Sequence, residues 1–517
     1  MTAVGQALVA ALAARGVLVV FGIPGVHTVE MYRGLAGSPI RHVTVRHEQG
    51  AAFAADGYAR ATGQPGVAFV ITGPGLTNAL TAMAQSRADS IPVLVISGVN
   101  RRDSLGKGLG LLHELPDQAA MVRALCPTLQ IASPADLGPV LDAAFAALTT
   151  GRPGPVHIEV PTDVMGMDCA LPTSISLPAR HVSNAASLQA AKARLAAAHR
   201  PVILAGGGCV RADAQLTALA AALDAPVVLT ANARGVLAGH PLAVPASASL
   251  LAVRALIADA DVVLAVGTEL GPTDYDMYVR GGLPDLSGMI RIDLCPDQLA
   301  RHPAAITLQG DAATLLPQLT PTPRQSDGAA RAATTNAAAY AELSPAVQAQ
   351  VVLLQTMTQA MPDAIIVGDS TQPVYAGNLF HHAPFPGAWF NAATGYGALG
   401  FAPGAAIGAA IGSNRPVICL IGDGGLQFSP GELRTAVDER LPITYVVWNN
   451  AGFREIAEAM RDAGTQVIGC TPSPLHMKPF AASCDLPFTS ILPDADALRA
   501  ALLTPYSGPR MIEIRIT

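Results

Sequence analysis

The chain has 517 residues, half of them hydrophobic and 14% charged, with a formal net charge of −6. That length suits several domains of about 100–200 residues each, with enough apolar material for large cores. The mild negative charge excludes nucleic acid and anionic membrane surfaces as main partners, and no apolar run approaches the ~20 residues of a membrane span.

The first elements follow at once: an amphipathic helix over Val4–Ala14, then a strand over Val17–Phe21. An N-terminus of this kind carries no signal or transit peptide, so a cytoplasmic location is expected. Seven cysteines (126, 169, 209, 295, 419, 470, 484) lie scattered without CxxC or zinc spacing, which fits reduced thiols in that compartment. Further strands are expected at Val43–Val45, Val67–Ile71, Val93–Ile96 and Val156–Glu159, alternating with helical runs, so residues 1–165 form an α/β sheet domain. Glu48 follows the short β-like run and opens a helical pattern, a position the helix macrodipole favours for any acid.

Residues from Gly166 to about Asn184 are Pro- and Ser-containing and weakly periodic, which reads as a linker. The alternation restarts over 185–319, with strands at Pro201–Leu204, Pro226–Leu229, Asp261–Val266 and Met289–Asp293. Gly206-Gly207-Gly208-Cys209-Val210-Arg211 lacks the G-x-G-x-x-G spacing of a dinucleotide loop, so the triplet reads as a structural turn and FAD is not expected. A second linker is expected over Thr320–Ala337, where Pro, Thr and Ala dominate, and a third α/β domain over 343–517.

The third domain carries the strongest motif. Strand-like Pro416–Ile421 runs into Gly422-Asp423-Gly424-Gly425; a helix-like Glu432–Val437 follows, then apolar Ile443–Trp448 ending in Asn449-Asn450. Two β-runs separated by a helix make a βαβ unit, whose parallel strands present both polar ends at one sheet edge, where ligands bind. Asp423 offers a hard anionic oxygen and Asn450 a neutral carbonyl oxygen, the ligands Mg²⁺ or Ca²⁺ takes when diphosphate oxygens complete its shell. The glycines allow the backbone close to the phosphates.

This two-part motif resembles the thiamin-diphosphate signature of the acetolactate synthase, pyruvate decarboxylase and benzoylformate decarboxylase superfamily, and the resemblance covers essentially the whole chain. It implies three doubly wound parallel-sheet domains: pyrimidine-binding (1–165), a Rossmann-like central domain (185–319) and diphosphate-binding (343–517). It implies thiamin diphosphate and Mg²⁺ as cofactors, with Asp423, Asn450 and the Gly452 carbonyl as metal ligands and Gly422, Gly424 and Gly425 beside the diphosphate. Gly368-Asp369-Ser370, ending the run Ile365–Val367, resembles the turn that grips the diphosphate. In Asn391–Phe401 the Gly397 carbonyl would accept from the cofactor's 4′-amino group, and Leu399 would wedge the two rings into a V.

Glu48 would bond N1′ of the aminopyrimidine and so favour the imino tautomer that takes the thiazolium C2 proton, chemistry that needs a desolvated carboxyl group. In this superfamily that glutamate serves a cofactor held by the partner subunit, which implies a homodimer with the active site at its interface, or a homotetramer of two dimers. In the loop Leu105–Gln118, pyruvate decarboxylases have a histidine pair and acetolactate synthases a Phe-Gln pair. This chain has His113-Glu114 and departs from both, keeping a titratable donor. An acidic residue is frequent in the family where Val26 stands, and His27 is the nearest substitute. These two loops, with Gly267–Asp276, resemble bacterial 5-guanidino-2-oxopentanoate (2-ketoarginine) decarboxylases. A guanidinium substrate needs a carboxylate partner, for which Glu114 and Asp117 are candidates. The expected activity is decarboxylation of a small 2-oxo acid to an aldehyde and CO2; the alternative is an acetolactate synthase-type carboligase acting on pyruvate.

Overall fold

A computed structural model describes residues 2–172, 174–176, 183–279 and 281–516. Among these, the inner strands of the parallel sheets are largely Val, Ile, Leu and Ala buried on both faces, as strands covered by helices on either side must be, while edge strands such as Arg41–Thr44 are partly exposed. The N-terminal sheet runs in the order Arg41–Thr44, Val19–Gly22, Gly66–Val70, Val93–Val99, Pro155–Pro161, Thr128–Gln130, every pair parallel. The sequence order therefore reverses between Val19–Gly22 and Gly66–Val70. In an open parallel sheet that reversal leaves a crevice beyond the carboxyl ends of the two strands.

Chain contacts divide the protein into two units: residues 1–179, 395–490 and 505–517 in the first, and 180–394 with 491–504 in the second. The first unit holds the N-terminal sheet and a parallel set Val417–Gly422, Ile443–Asn449, Arg510–Arg515. Within it, helix Glu48–Thr62 lies against helix Phe401–Ser413 at backbone contact. A Cβ on Gly57 would meet the Ala405 carbonyl oxygen at 2.0 Å, and one on Gly408 would meet that of Ala54 at 1.8 Å. Gly404, Gly408 and Gly412 recur every fourth residue and so share one helix face. That face packs on Phe53, Ala54 and Thr62 of the facing helix.

The second unit contains the central sheet in the order Ala243–Val244, Val227–Leu229, Pro201–Ala205, Val262–Val266, Ile290–Asp293, Ile306–Gln309, all parallel, the Rossmann order expected for this region. It also contains the parallel pair Ile365–Gly368 and Trp389–Asn391. The glycine triplet is a tight crossing: Cβ atoms on Gly206 and Gly208 would come within 2.2 and 2.9 Å of Gly267.

Most expected elements recur with ends shifted by a residue or two, as for Val19–Gly22 and Ile443–Asn449. One expectation is corrected. The stretch Thr320–Ala337, read as a linker, includes the start of helix Gly328–Ala341, which buries Arg331, Ala332, Thr335 and Ala339. Its many alanines, the strongest helix formers, outweigh the Pro and Thr residues that suggested a loop. Part of the other expected linker, at 173 and 177–182, lies outside the described residues. All seven cysteines are free. No helix among the described residues is long and apolar enough to cross a membrane.

Candidate active site

The crevice of the N-terminal sheet collects four chain segments. Glu48 is the first residue of helix Glu48–Thr62, capped by His47, whose Nδ1 accepts the Gln49 N–H at 3.1 Å. The Asn78 amide donates to Glu48 Oε2 at 3.0 Å, from near the start of helix Pro74–Ala88. The turn before that helix passes Gly73 in a left-handed conformation and Gly75, where a Cβ would stand 3.5 Å from Glu48 Oε1. Glu48 is half-buried in the single chain rather than fully desolvated.

His27 and His113, far apart in sequence, meet here with ring centroids 5.5 Å apart and planes at 82°. Burial, and then the neighbouring His113, lower the pKa of His27, so its ring is neutral at pH 7. His27 Nδ1 is buried without a hydrogen-bond partner. His113 holds a positive φ of 62°, a conformation in which His is enriched among non-glycine residues. Its loop is fastened on both sides. Asn100 Nδ2 donates to the Leu112 carbonyl at 3.0 Å, and Gln118 Oε1 accepts the Gly73 N–H at 3.0 Å. Glu114 accepts the N–H groups of Leu109 and Leu111 at 3.1 and 3.0 Å, bonds that lower its pKa. Asp117 caps the following helix through the Ala120 N–H at 2.8 Å. Both candidate guanidinium partners thus hold backbone of their own loop.

At the other sheet edge in the same unit, Val417–Gly422 delivers Asp423 and Ile443–Asn449 delivers Asn450 side by side, the Asn450 N–H donating to Asp423 Oδ1 at 3.3 Å. Asp423 is 4% exposed. Burial raises its pKa, while backbone N–H groups, that of Asn450 first and those of Gly424 and Gly452 after it, pull it down. Carboxylate, amide and peptide carbonyl form an all-oxygen donor set that fits a hard dication. Among the described residues no group of three His, Cys, Asp or Glu side chains offers an alternative. The glycines leave no room for side chains: a Cβ on Gly424 would meet the Phe453 ring at 2.6 Å, and one on Gly452 the Cys470 carbonyl at 2.6 Å.

Gly397 has φ +78° and is exposed, and Leu399 beside it is half-buried. The Ala398 N–H between them donates to buried Gln85 Oε1 at 3.1 Å, and the Gly400 carbonyl accepts the Ser429 hydroxyl at 2.9 Å. Gly368, Asp369 and Ser370 belong to the second unit. There Asp369 is fully buried, its Oδ1 accepting the Ser370 N–H at 3.0 Å, and the Gly368 carbonyl accepts the Ala392 N–H at 3.1 Å. Sequence reasoning missed Asn78, Gln85 and Glu432. A polar residue on an otherwise apolar helix face was the available signal for Gln85, whose neighbours Ala82, Met83 and Ala84 are buried.

Comparison with known proteins bears on the family of the whole chain. Profiles of the thiamine pyrophosphate enzymes match over the N-terminal TPP-binding domain (residues 2–121), the central domain (188–319) and the C-terminal TPP-binding domain (368–514). The chain is 43% identical over 482 residues to a Pseudomonas aeruginosa protein named "Probable 2-ketoarginine decarboxylase AruI", covering 90% of this chain and 86% of that one. It is 31% identical to the acetolactate synthase large subunit of Corynebacterium glutamicum (86% and 74% covered) and to the Escherichia coli isozyme 2 large subunit (86% and 82%). A solved Mycobacterium smegmatis structure, described as "a putative thiamin diphosphate-dependent enzyme", superposes over 99% of both chains with a TM-score of 0.81 at 24% identity, a likeness of fold.

Proposed function

The chain belongs to the thiamine pyrophosphate enzyme family, and from that premise we propose that it is a Mg²⁺-dependent decarboxylase of a 2-oxo acid, with 5-guanidino-2-oxopentanoate as its substrate. The observation that carries the reading is the ring contact of His27 with His113, the latter in the loop where this chain has His113-Glu114 and a carboligase of the acetolactate synthase type has Phe-Gln. The substrate assignment is supported by the 43% identity to a relative named for that activity.

Asp423, Asn450 and the Gly452 carbonyl would hold the metal, with Gly422, Gly424 and Gly425 lining the diphosphate. Gly397 and Leu399 would receive the aminopyrimidine and set the ring angle. Thiamin diphosphate, when bound, supplies a nucleophilic carbon and an electron sink for loss of CO2 from the 2-oxo acid. Asn78 occupies Glu48 Oε2, which leaves Oε1 to exchange a proton with N1′. His113 would give a proton to the product-forming carbon and be left neutral, and neutral His27, in ring contact with it, would relay a proton from solvent to restore it. Glu114 keeps the loop ordered so that His113 stays in place. Glu48 would act on a cofactor held by a second copy, which makes the dimer the smallest active form.

Incubation with 5-guanidino-2-oxopentanoate or pyruvate, followed by assay of CO2, aldehyde and acetolactate, tests this. Aldehyde and CO2 in equal amounts from the guanidino acid are expected. Acetolactate from pyruvate without aldehyde would make the chain a carboligase instead.

A further inference from the structure

Glu432 opens the helix Glu432–Asp438, a few residues past Asp423, and is 1% exposed. Its Oε1 accepts the backbone N–H groups of both Arg46 and His47 at 3.1 Å, and its Oε2 accepts the Thr435 hydroxyl at 2.9 Å. Arg46 and His47 are the two residues immediately before Glu48. The carboxylate also lies under the first turn of the Glu48 helix, since a Cβ on Gly50 would come within 2.2 Å of Oε1. That is the positive end of the helix, where an anion is favoured. At the far end of the Glu432 helix, Asp438 pairs with the Arg46 guanidinium.

We propose that Glu432 is a positioning residue for Glu48: by fixing the chain at Arg46 and His47, it sets where the Glu48 carboxyl stands against the aminopyrimidine. The inference rests on the role given to Glu48 above. Because Glu432 follows the Asp423 turn on the same chain, while Glu48 serves a cofactor held by the partner, this one carboxylate also joins the metal turn of one active site to the acid of the other. Burying a carboxylate is costly unless its oxygens are bonded, and here both are spent on placing a few residues.

The test uses cofactor-loaded enzyme and three readouts: turnover, thiamin diphosphate affinity from tryptophan fluorescence, and the melting midpoint of the cofactor-free protein. Glu432→Ala should lower kcat about tenfold or more, as sub-ångström misplacement does, while moving cofactor affinity by less than about threefold. Glu432→Gln, whose carbonyl still accepts both N–H groups, should recover most of the loss. Should Glu432→Ala fail to fold, Thr435→Val frees Oε2 at equal volume and should lower kcat in the same direction. A loss of cofactor affinity with unchanged kcat, or no change in either, overturns the proposal.

Mixed oligomers separate the inference from its premise. Glu48→Gln chains combined with Asp423→Ala chains should regain activity, because one shared site is then intact; no recovery sinks the shared site itself. Given that recovery, Glu432→Ala chains combined with Glu48→Gln chains should stay at or below the activity of Glu432→Ala alone, while wild type combined with chains carrying both Glu432→Ala and Glu48→Gln keeps one working site. The opposite pattern would mean that Glu432 serves its own metal turn.

Discussion

In the proposed reaction Glu48 and Asp423 would carry different parts, and their surroundings bear on why each is an acid. Glu48 already gives one oxygen to Asn78, so a glutamine there keeps the shape and the Asn78 contact but has no proton to trade. Glu48→Gln should therefore cost about a hundredfold or more in kcat and leave cofactor affinity nearly unchanged. Asp423 is the only anion of its donor set, and its pKa is raised by burial against four backbone N–H groups that favour the charge. Asp423→Ala should weaken thiamin diphosphate binding by more than about a hundredfold, measured by fluorescence quenching with Mg²⁺ present. The residues that orient these two were harder to read. Asn78 and Gln85 look like ordinary helix polar residues, and Glu432 reaches back 386 positions to Arg46, a contact no local pattern encodes.

The element that holds the first unit together is the pair of helices at Glu48–Thr62 and Phe401–Ser413. Their faces are small because their backbones touch, so a methyl group has nowhere to go. Gly57→Ala and Gly408→Ala should each cost about 1–3 kcal/mol, read as a lower melting midpoint of the cofactor-free protein. Gly16→Ala, where a Cβ meets nothing within 4 Å, controls for composition but carries a strained φ of +83°. A milder drop there than at Gly57 isolates the packing effect. Helix Pro74–Ala88 acts as a strut in the same unit, with Asn78 on Glu48 and Gln85, two turns on, on the Ala398 N–H. The strands were plain in the sequence because buried parallel strands are continuous apolar runs. The helix after Thr320 was not, because its alanines sat among residues typical of loops.

For the molecule as a whole, among the described residues each unit fully buries one histidine that stays neutral at pH 7. His157 in the first and His381 in the second are fully buried and pushed down to about 3. The unfolded chain protonates both near pH 6.5 and the folded one does not, so their contribution is complete above that value. It is lost progressively as pH falls towards 3, by about 1.4 kcal/mol per unit for each. Against wild type, His157→Gln should therefore show a stability deficit that shrinks between pH 6.5 and 4.5; a constant gap would mean that His157 does not titrate as placed. The α/β parallel-sheet character was legible in the sequence, since alternating apolar runs report sheets. The grouping of 395–490 with the N-terminal sheet was not, because it depends on which faces meet rather than on any one face. That grouping bears on how the protein is made. At synthesis rates of about 5–20 residues per second, roughly 350 residues separate Gly57 from its cover at Ala405, so the early helix emerges from the ribosome and waits on the order of half a minute with its small-residue face bare, a window in which a holdase chaperone has something to protect.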